Sequence, residues 1–99
     1  MDLEALRESL AVAAPPAGIS LAAQALWWDA KGNWQKAHEC AQEQDDETGA
    51  WVHAYLHRKE GSSSNADYWY QRSGDYRQTT LEAEWKTLVE ALLTKTQNG

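Results

Sequence analysis

Two histidines at helical spacing are the residues of this chain best placed to do chemistry. His53 and His57 are four residues apart, so both imidazoles lie on one face if this segment is a helix. Glu60 extends that face by almost one more turn. Imidazole nitrogens and carboxylate oxygens are ligands of Zn²⁺ and related ions. The spacing therefore predicts a metal site formed by His53, His57 and Glu60, with His38 as an alternative third ligand.

A hydrolytic role for these histidines is disfavoured by the residue that follows the first of them. Zinc proteases of the His-Glu-x-x-His type need a glutamate there as general base, and Ala54 occupies that place. Imidazole rings also pack between helices and hydrogen-bond to neighbouring polar groups. Packing of the two rings is the favoured interpretation and metal binding is the alternative, and the sequence predicts neither a catalytic residue nor a resident cofactor.

His38 and Cys40 raise the question of a thiol nucleophile, which needs an imidazole within hydrogen-bond reach. Positions two residues apart on a helix point about 200° apart, so these two side chains face different ways. Cys40 reaches His53 or His57 only if its helix packs suitably against theirs. A small thiol packed among apolar neighbours is the favoured interpretation.

An internal repeat with an offset of 29 residues indicates the elements that position these residues. Residues 25–37 read ALWWDAKGNWQKA, and residues 54–66 read AYLHRKEGSSSNA. Each segment has an apolar run, then a glycine, Gly32 or Gly61, and an alanine five residues after the glycine. Glycine readily ends a helix in the left-handed conformation, and a small residue lets the next helix approach closely. The pattern predicts two helix–turn–helix hairpins.

This pattern resembles the tetratricopeptide repeat and its Sel-like relatives. Those repeats carry a small residue and an aromatic on the first helix, as in Ala25 with Trp28, and Ala-x-x-x-aromatic on the second, as in Ala66 with Tyr70. The stretch NADYWYQRSGD at 65–75 is similar to the end of a Sel-like repeat. The segments ALWWDAKGNWQKAHE and WVHAYLHRKEG also resemble a family of short, uncharacterised bacterial proteins. The resemblance implies a fold and no particular activity.

These patterns predict an all-α chain of about six helices, arranged as a short solenoid of stacked antiparallel hairpins. One domain is predicted over residues 1–99, and it begins with a helix over 2–13. The first hairpin covers 19–45, the second covers 48–74, and a C-terminal capping helix covers 79–95. No alternating pattern typical of a β-strand is found.

Stacked hairpins of this kind form a concave face that commonly binds peptides. Trp51, Tyr55 and Arg58 are predicted to lie on this face, with Trp27 and Trp28 nearby. Trp, Tyr and Arg are the residue types most enriched at binding hot spots. The chain has 6 Trp and 4 Tyr but no Phe, which also favours a half-buried aromatic surface. The sequence thus predicts a binding face for a peptide or for a second copy of the chain.

Two further expectations depend on the same stacking. Asp29 and Arg58 occupy equivalent positions in the two repeats, which predicts an ion pair between neighbouring first helices. An equally favoured alternative to an open concave face is that the N- or C-terminal helix fills it.

Composition narrows the classes of partner. The formal net charge of −6 repels a phosphate backbone, and Arg58 and Lys59 are better explained as cations at a helix end. No run approaches the ~20 apolar residues of a membrane span. With Cys40 as the single cysteine, an intrachain disulfide is excluded, and a reducing compartment is favoured. A cytoplasmic protein that binds neither nucleic acid nor membrane is predicted.

The leading functional hypothesis from the sequence is a non-enzymatic protein-interaction module that uses the aromatic face. A metal-binding protein that uses the His53/His57 pair is the alternative. An accessory subunit of a larger complex is a third hypothesis. The repeat supports the first of these, and the four-residue histidine spacing supports the second.

Overall fold

Six α-helices form the secondary structure of the part of the chain that the structure describes, and no β-strand lies within it. The structure is a computed structural model and describes residues 2–98, with side chains up to Leu93. The predicted all-α chain of about six helices is confirmed. The helices are α1 (Leu3–Ser9), α2 (Leu21–Ala30), α3 (Trp34–Glu43), α4 (Glu47–Glu60), α5 (Ser63–Ser73) and α6 (Leu81–Asn98).

Side-chain caps explain where most of these helices begin. Asp2, Ser20, Asn33, Asp46 and Thr80 each accept a hydrogen bond from the backbone N–H three residues later. Such bonds satisfy N–H groups that have no partner within the first turn of a helix. The starts of these helices are therefore encoded within a few residues of each start.

Gly32 and Gly61 join contacting helices, as the repeat predicts. Their φ angles are 86° and 95°, a conformation that side-chain-bearing residues rarely adopt. α2 packs against α3, and α4 packs against α5. Ala37 and Ala66, each five residues after its glycine, are fully buried. The small side chains thus lie where neighbouring helices approach closely.

α1 is shorter than the helix predicted over residues 2–13, since it ends at Ser9. After Ser9 the chain continues in a tighter, 3₁₀-type turn. The backbone N–H groups of Leu10, Ala11 and Val12 each donate to the carbonyl three residues earlier. The Lys31 ammonium donates to the carbonyl oxygens of Leu10 and Val12, at 2.7 and 3.0 Å. A contact from α2, distant in sequence, therefore satisfies carbonyls that a longer α1 would have used.

α4 lies at the centre of the helix packing, because it contacts α2, α3, α5 and α6. α1 contacts α6. The side chains enclosed between these helices are mainly aliphatic, together with one tryptophan. The fully buried members include Leu6, Leu26, Trp27, Val52, Leu56, Leu88. With α3 and α4 in contact, side chains from both helices can form one cluster.

α6 covers the side of α2 and α4 where the sequence predicts a concave face. Leu88, Val89 and Leu92 are buried in the core. Trp85 Nε1 donates a 3.1 Å hydrogen bond to the carbonyl of Leu26 in α2. α6 therefore contacts both α2 and α4, and the concave face with its filling by a terminal helix stays a prediction. None of the helices, over the described residues, combines the length and apolarity needed to cross a bilayer.

Two buried carboxylates connect helices, and their partners differ from the predicted ion pair. Asp29 accepts hydrogen bonds from Lys59 Nζ at 2.9 Å and from Tyr55 Oη at 3.2 Å. Arg58 instead binds Glu84 of α6 at 2.7 Å. The predicted Asp29–Arg58 pair is therefore wrong. Consecutive helical residues point about 100° apart, so Lys59 faces Asp29 while Arg58 faces the carboxylate supplied by α6.

Candidate metal site

Three histidines converge where α3 packs against α4. His53 and His57 lie one turn apart on α4, and their rings are stacked with centroids 4.9 Å apart. His38 of α3 meets His53 edge-on, with ring centroids 4.5 Å apart and planes at 84°. His53 is 5% exposed, whereas His38 and His57 are half-buried. The cluster therefore lies at the rim of the helix pair, within reach of solvent.

The ring nitrogens are spaced closely enough to share one metal ion. One nitrogen from each histidine can be chosen so that all three lie within 4.8 Å of one another. Two imidazole nitrogens bound tetrahedrally to one Zn²⁺ are about 3.3 Å apart, from bond lengths of about 2.0–2.1 Å. The Nε2 atoms of His38 and His53 are 2.8 Å apart, in a hydrogen bond that one ring donates to the other. These separations, from 2.8 Å up to 4.8 Å, bracket the one that a tetrahedral Zn²⁺ site requires.

Glu60 contacts His57 and is not a member of the three-histidine cluster. Its Oε2 atom lies 2.7 Å from His57 Nδ1, which donates to it when that nitrogen carries the proton. This contact leaves Nε2 of His57 as the nitrogen with a free lone pair. Carboxylates that accept from the far nitrogen of a histidine orient the ring and raise its basicity as a ligand. The predicted ligand set of His53, His57 and Glu60 stays a prediction: the structure brings His38, the alternative third ligand, together with His53 and His57, and it places Glu60 against His57.

Two tryptophans bracket the cluster. The Trp34 indole is stacked on His38, with centroids 4.9 Å apart and planes at 15°. The Trp69 indole is stacked on His53 at 4.0 Å and 14°. Trp34 is itself held by a 3.0 Å hydrogen bond from its Nε1 to the carbonyl of Leu56. Helices α3, α4 and α5 therefore all contribute to the orientation of the imidazole rings.

The electrostatic environment keeps two of the imidazoles unprotonated. Burial, followed by the charges of the neighbouring His38 and His57, lowers the pKa of His53 from 6.5 to about 4. Burial, followed by the charge on His57, lowers the pKa of His38 as well. Metal ions bind the neutral form of imidazole. At neutral pH, protons therefore compete weakly for these two ligands.

Cys40 does not belong to this cluster. The one group of close potential ligands among the described residues contains three histidines and no thiol. Cys40 packs against the hydrophobic core, half-buried. Burial and the nearby Glu43 and Glu39 raise its pKa, which disfavours the thiolate. The interpretation of Cys40 as a packed thiol fits this environment.

Two of the residues predicted for the binding face lie in the hydrophobic core. Trp27 is fully buried, and Tyr55 is 2% exposed. The Trp27 indole donates to Ser9 Oγ at 3.0 Å, and the Tyr55 hydroxyl donates to Asp29. Trp28 is half-buried on another side of α2. These three aromatics therefore do not form one open surface.

Trp51 and Arg58 are both engaged by a fully buried carboxylate of α6. Arg58 binds one oxygen of Glu84, and Trp51 Nε1 donates to the other at 3.3 Å. The Tyr70 hydroxyl donates to Glu84 at 2.5 Å. Burial, together with this hydrogen bond, raises the Tyr70 pKa. The predicted hot-spot residues Trp51 and Arg58 thus serve as hydrogen-bond donors to the protein's own interior.

The sequence already offers His38 as the alternative third ligand, and the number of histidines favours it over Glu60. The chain has 3 histidines in all, and every one of them belongs to the cluster. His38 lies on α3, the helix that precedes α4 in the chain. No comparable signal predicts that Glu84 or Asp29 is buried, since their burial depends on the packing of distant helices.

Comparison with protein-family models, with curated proteins and with solved structures found no match to this chain. The relationship to tetratricopeptide or Sel-like repeats therefore stays a resemblance, and the candidate site is supported by its own geometry.

Proposed function

We propose that the protein binds a transition-metal ion through His38, His53 and His57. The observation that carries this proposal is the convergence of one nitrogen from each ring within 4.8 Å. Three imidazoles suit Zn²⁺, Cu²⁺ and Ni²⁺. A three-histidine site also leaves at least one coordination position for water or an exogenous ligand.

The surroundings of the cluster favour a bound cation. The formal net charge of the chain is −6. The electric field of a negatively charged protein raises the local concentration of cations. The depressed pKa values of His53 and His38 supply neutral ligands at neutral pH. Glu60 adds a negative charge behind His57, where it partly offsets the charge of the metal.

Calorimetric titration of the untagged, chelator-treated protein with ZnCl₂ tests this proposal. We expect saturable binding of one ion per chain. His38→Ala removes the ligand on α3 and should weaken binding by at least about 100-fold, since even orienting partners of ligands contribute about 10–100-fold. Circular dichroism of the variant shows whether the helices are retained.

The matched control for adventitious binding is Cys40→Ser. Cys40 is the single thiol of the chain and lies outside the cluster, so this variant should bind Zn²⁺ as the parent protein does. If the folded parent protein binds no stoichiometric metal, or if His38→Ala binds as tightly as the parent, the cluster serves packing alone.

We also propose that the two central hairpins stack as tetratricopeptide or Sel-like repeats do. The positive φ of Gly32 and of Gly61 supports this stacking, as does the full burial of Ala37 and Ala66 at the same offset. The contact of α2 with α4 is the one expected between the first helices of neighbouring repeats. An experimental structure tests the inter-hairpin angle directly.

Binding of a peptide or of a second copy stays a prediction from the sequence, as does a cytoplasmic location. The burial of Trp27 and Tyr55 removes the support that the aromatic face lent to this hypothesis. Trp28 and Trp51, which are half-buried, are the positions at which substitution still tests it. Light scattering of the parent protein tests self-association.

A further inference from the structure

A largely apolar groove lies between α1, α2, α4 and α6, and none of the three histidines lines it. Its volume is about 570 Å³, within the range of roughly 300–1,000 Å³ typical of small-molecule sites. Leu10, Leu81 and Trp85 line its apolar walls. The Trp85 indole is held by its hydrogen bond to Leu26 O, so one wall is a positioned aromatic ring. The groove is therefore shaped for a flat apolar group.

A buried polar group forms one end of this groove. The Asp29 carboxylate is 2% exposed and accepts from Lys59 Nζ on one oxygen and from Tyr55 Oη on the other. Its charge is thus balanced and its oxygens are occupied. The Lys59 side chain is 41% exposed, and its ammonium has two further N–H groups beyond the one that Asp29 accepts. Lys59 can therefore donate to a ligand without releasing Asp29.

A second cation borders the groove from α1. The Arg7 guanidinium lies 5.8 Å from the centroid of the Trp85 ring, and Arg7 is exposed. Glu82 of α6, also exposed, lines the same groove. The charges of the lining sum to zero, since Arg7 and Lys59 are offset by Asp29 and Glu82. Hydrogen bonding decides the preference: the exposed donors are Lys59 and Arg7, whereas Glu82 is the one exposed carboxylate of the lining. A ligand carboxylate can therefore accept from two cations, and a ligand ammonium group has a single exposed carboxylate to donate to.

From these contacts we propose that the groove binds a small molecule with a flat apolar body and a single carboxylate. The apolar body lies against Trp85 and Leu81, and the carboxylate accepts hydrogen bonds from Lys59 and Arg7. Charge-assisted bonds of this type fix the orientation of the ligand, and burial of the apolar body supplies most of the affinity. The site is separate from the histidine cluster and does not depend on metal binding.

The test uses three probes that share one ring system and differ in charge: 2-naphthoate, 2-naphthalenemethanol and 2-naphthylmethylamine. Calorimetry on the full chain should give a Kd for 2-naphthoate below about 1 mM, as expected for a ligand of this size. The neutral alcohol should bind more weakly, and the amine at least about tenfold more weakly than the carboxylate. Equal affinity for the amine and the carboxylate, or no binding of any probe, would overturn the proposal.

Two exposed residues allow the charge argument to be tested in opposite directions. Arg7→Gln should weaken 2-naphthoate binding about five- to tenfold, and Glu82→Gln should strengthen it by a similar factor. Lys86→Gln changes the net charge by the same amount as Arg7→Gln. Lys86 is exposed on α6 and does not line the groove, so this variant should leave the Kd of 2-naphthoate unchanged. If Lys86→Gln weakens binding as much as Arg7→Gln does, the carboxylate responds to net charge alone and the groove is not its site.

Discussion

His57 shows how a single neighbouring carboxylate decides which ring nitrogen can bind a metal. Glu60 Oε2 lies 2.7 Å from Nδ1 of His57, one turn further along α4. A proton held on Nδ1 by this carboxylate leaves the lone pair on Nε2. The i,i+3 spacing of these residues therefore selects the tautomer that a metal site requires.

Glu60→Gln tests this role. The amide can still contact His57 but lacks the negative charge, so we expect Zn²⁺ affinity to fall by about 10–100-fold with one ion still bound. Competition with a chromophoric chelator measures the change. Glu90→Gln removes the same charge from an exposed position of α6 and should have little effect. Equal losses in the two variants would assign the effect to net charge.

His53 makes the stability of the metal-free protein depend on pH. Its pKa is lowered to about 4 in the folded state, compared with 6.5 for an ordinary histidine. As the pH falls below about 6.5, the unfolded chain takes up a proton that the folded protein does not accept until about pH 4. The free energy of unfolding should therefore fall by about 3 kcal/mol across this window, with no contribution from His53 above it. Urea unfolding between pH 7 and pH 4 measures this loss.

His53→Phe provides the comparison for the pH measurement. Phenylalanine keeps a ring beneath Trp69 but does not titrate, so the variant should lose less stability between pH 7 and pH 4 than the parent protein. His38, whose pKa is also lowered, continues to contribute in the same direction. His38 and His57 are the titratable groups whose charges act on the His53 ring. Identical pH slopes for the two proteins would contradict this account.

Among the helices, α6 is tied to α4 and α5 by one fully buried carboxylate. Glu84 receives hydrogen bonds from Arg58 and Trp51 of α4 and from Tyr70 of α5. Replacing a buried ion pair by apolar groups is often harmless, but removing one partner leaves an uncompensated buried charge. We therefore expect Glu84 to fix the position of α6 rather than to add to the free energy of unfolding.

Arg58→Ala should accordingly be among the more destabilising single substitutions in this protein. It leaves Glu84 buried with two neutral donors, and we expect a loss of about 3–5 kcal/mol. Tyr70→Phe removes one hydrogen bond to the same carboxylate and should cost less, about 1–3 kcal/mol. Urea denaturation measures both changes. Arg72→Ala, at an exposed position of α5, is the control, and a similar loss there would remove the special role of Arg58.

In the whole molecule, the histidine cluster joins the first hairpin to the second. His38 belongs to the α2–α3 hairpin, whereas His53 and His57 belong to the α4–α5 hairpin. A metal ion bound to all three would cross-link the two hairpins. Any ligand that binds the folded state alone raises the free energy of unfolding by RT ln(1 + L/Kd), where L is the concentration of free ligand.

Zn²⁺ at 100 times its Kd should therefore stabilise the protein by about 2.7 kcal/mol. For a chain of 99 residues this corresponds to a rise in Tm of about 10–20 °C. Differential scanning calorimetry with Zn²⁺ and then with excess chelator measures the rise and its reversal. The His38→Ala variant should show only a small shift, because a site confined to α4 no longer bridges the hairpins. An equal rise in both proteins would place the metal elsewhere.

Much of the fold follows from residues that are close in sequence. Asn33 and Asp46 cap α3 and α4 through bonds that span three residues, and Gly32 and Gly61 supply the left-handed conformation at two turns. The length of α1 could not be predicted in this way. Its end depends on Lys31, whose side chain reaches the carbonyls of Leu10 and Val12 across some twenty residues of chain.

The sequence by itself determined the helices, the two turns and the pairing of His53 with His57, because each depends on backbone geometry within one or two helical turns. Tertiary structure decided which third residue joins that pair. It also decided that Arg58 binds Glu84 rather than Asp29, and that α6 covers the face predicted to bind a partner. These outcomes depend on the rotation of each helix about its axis and on which helices touch. Helix rotation and helix–helix contacts are both set by many core side chains that are distant in sequence, so no local sequence pattern predicts them.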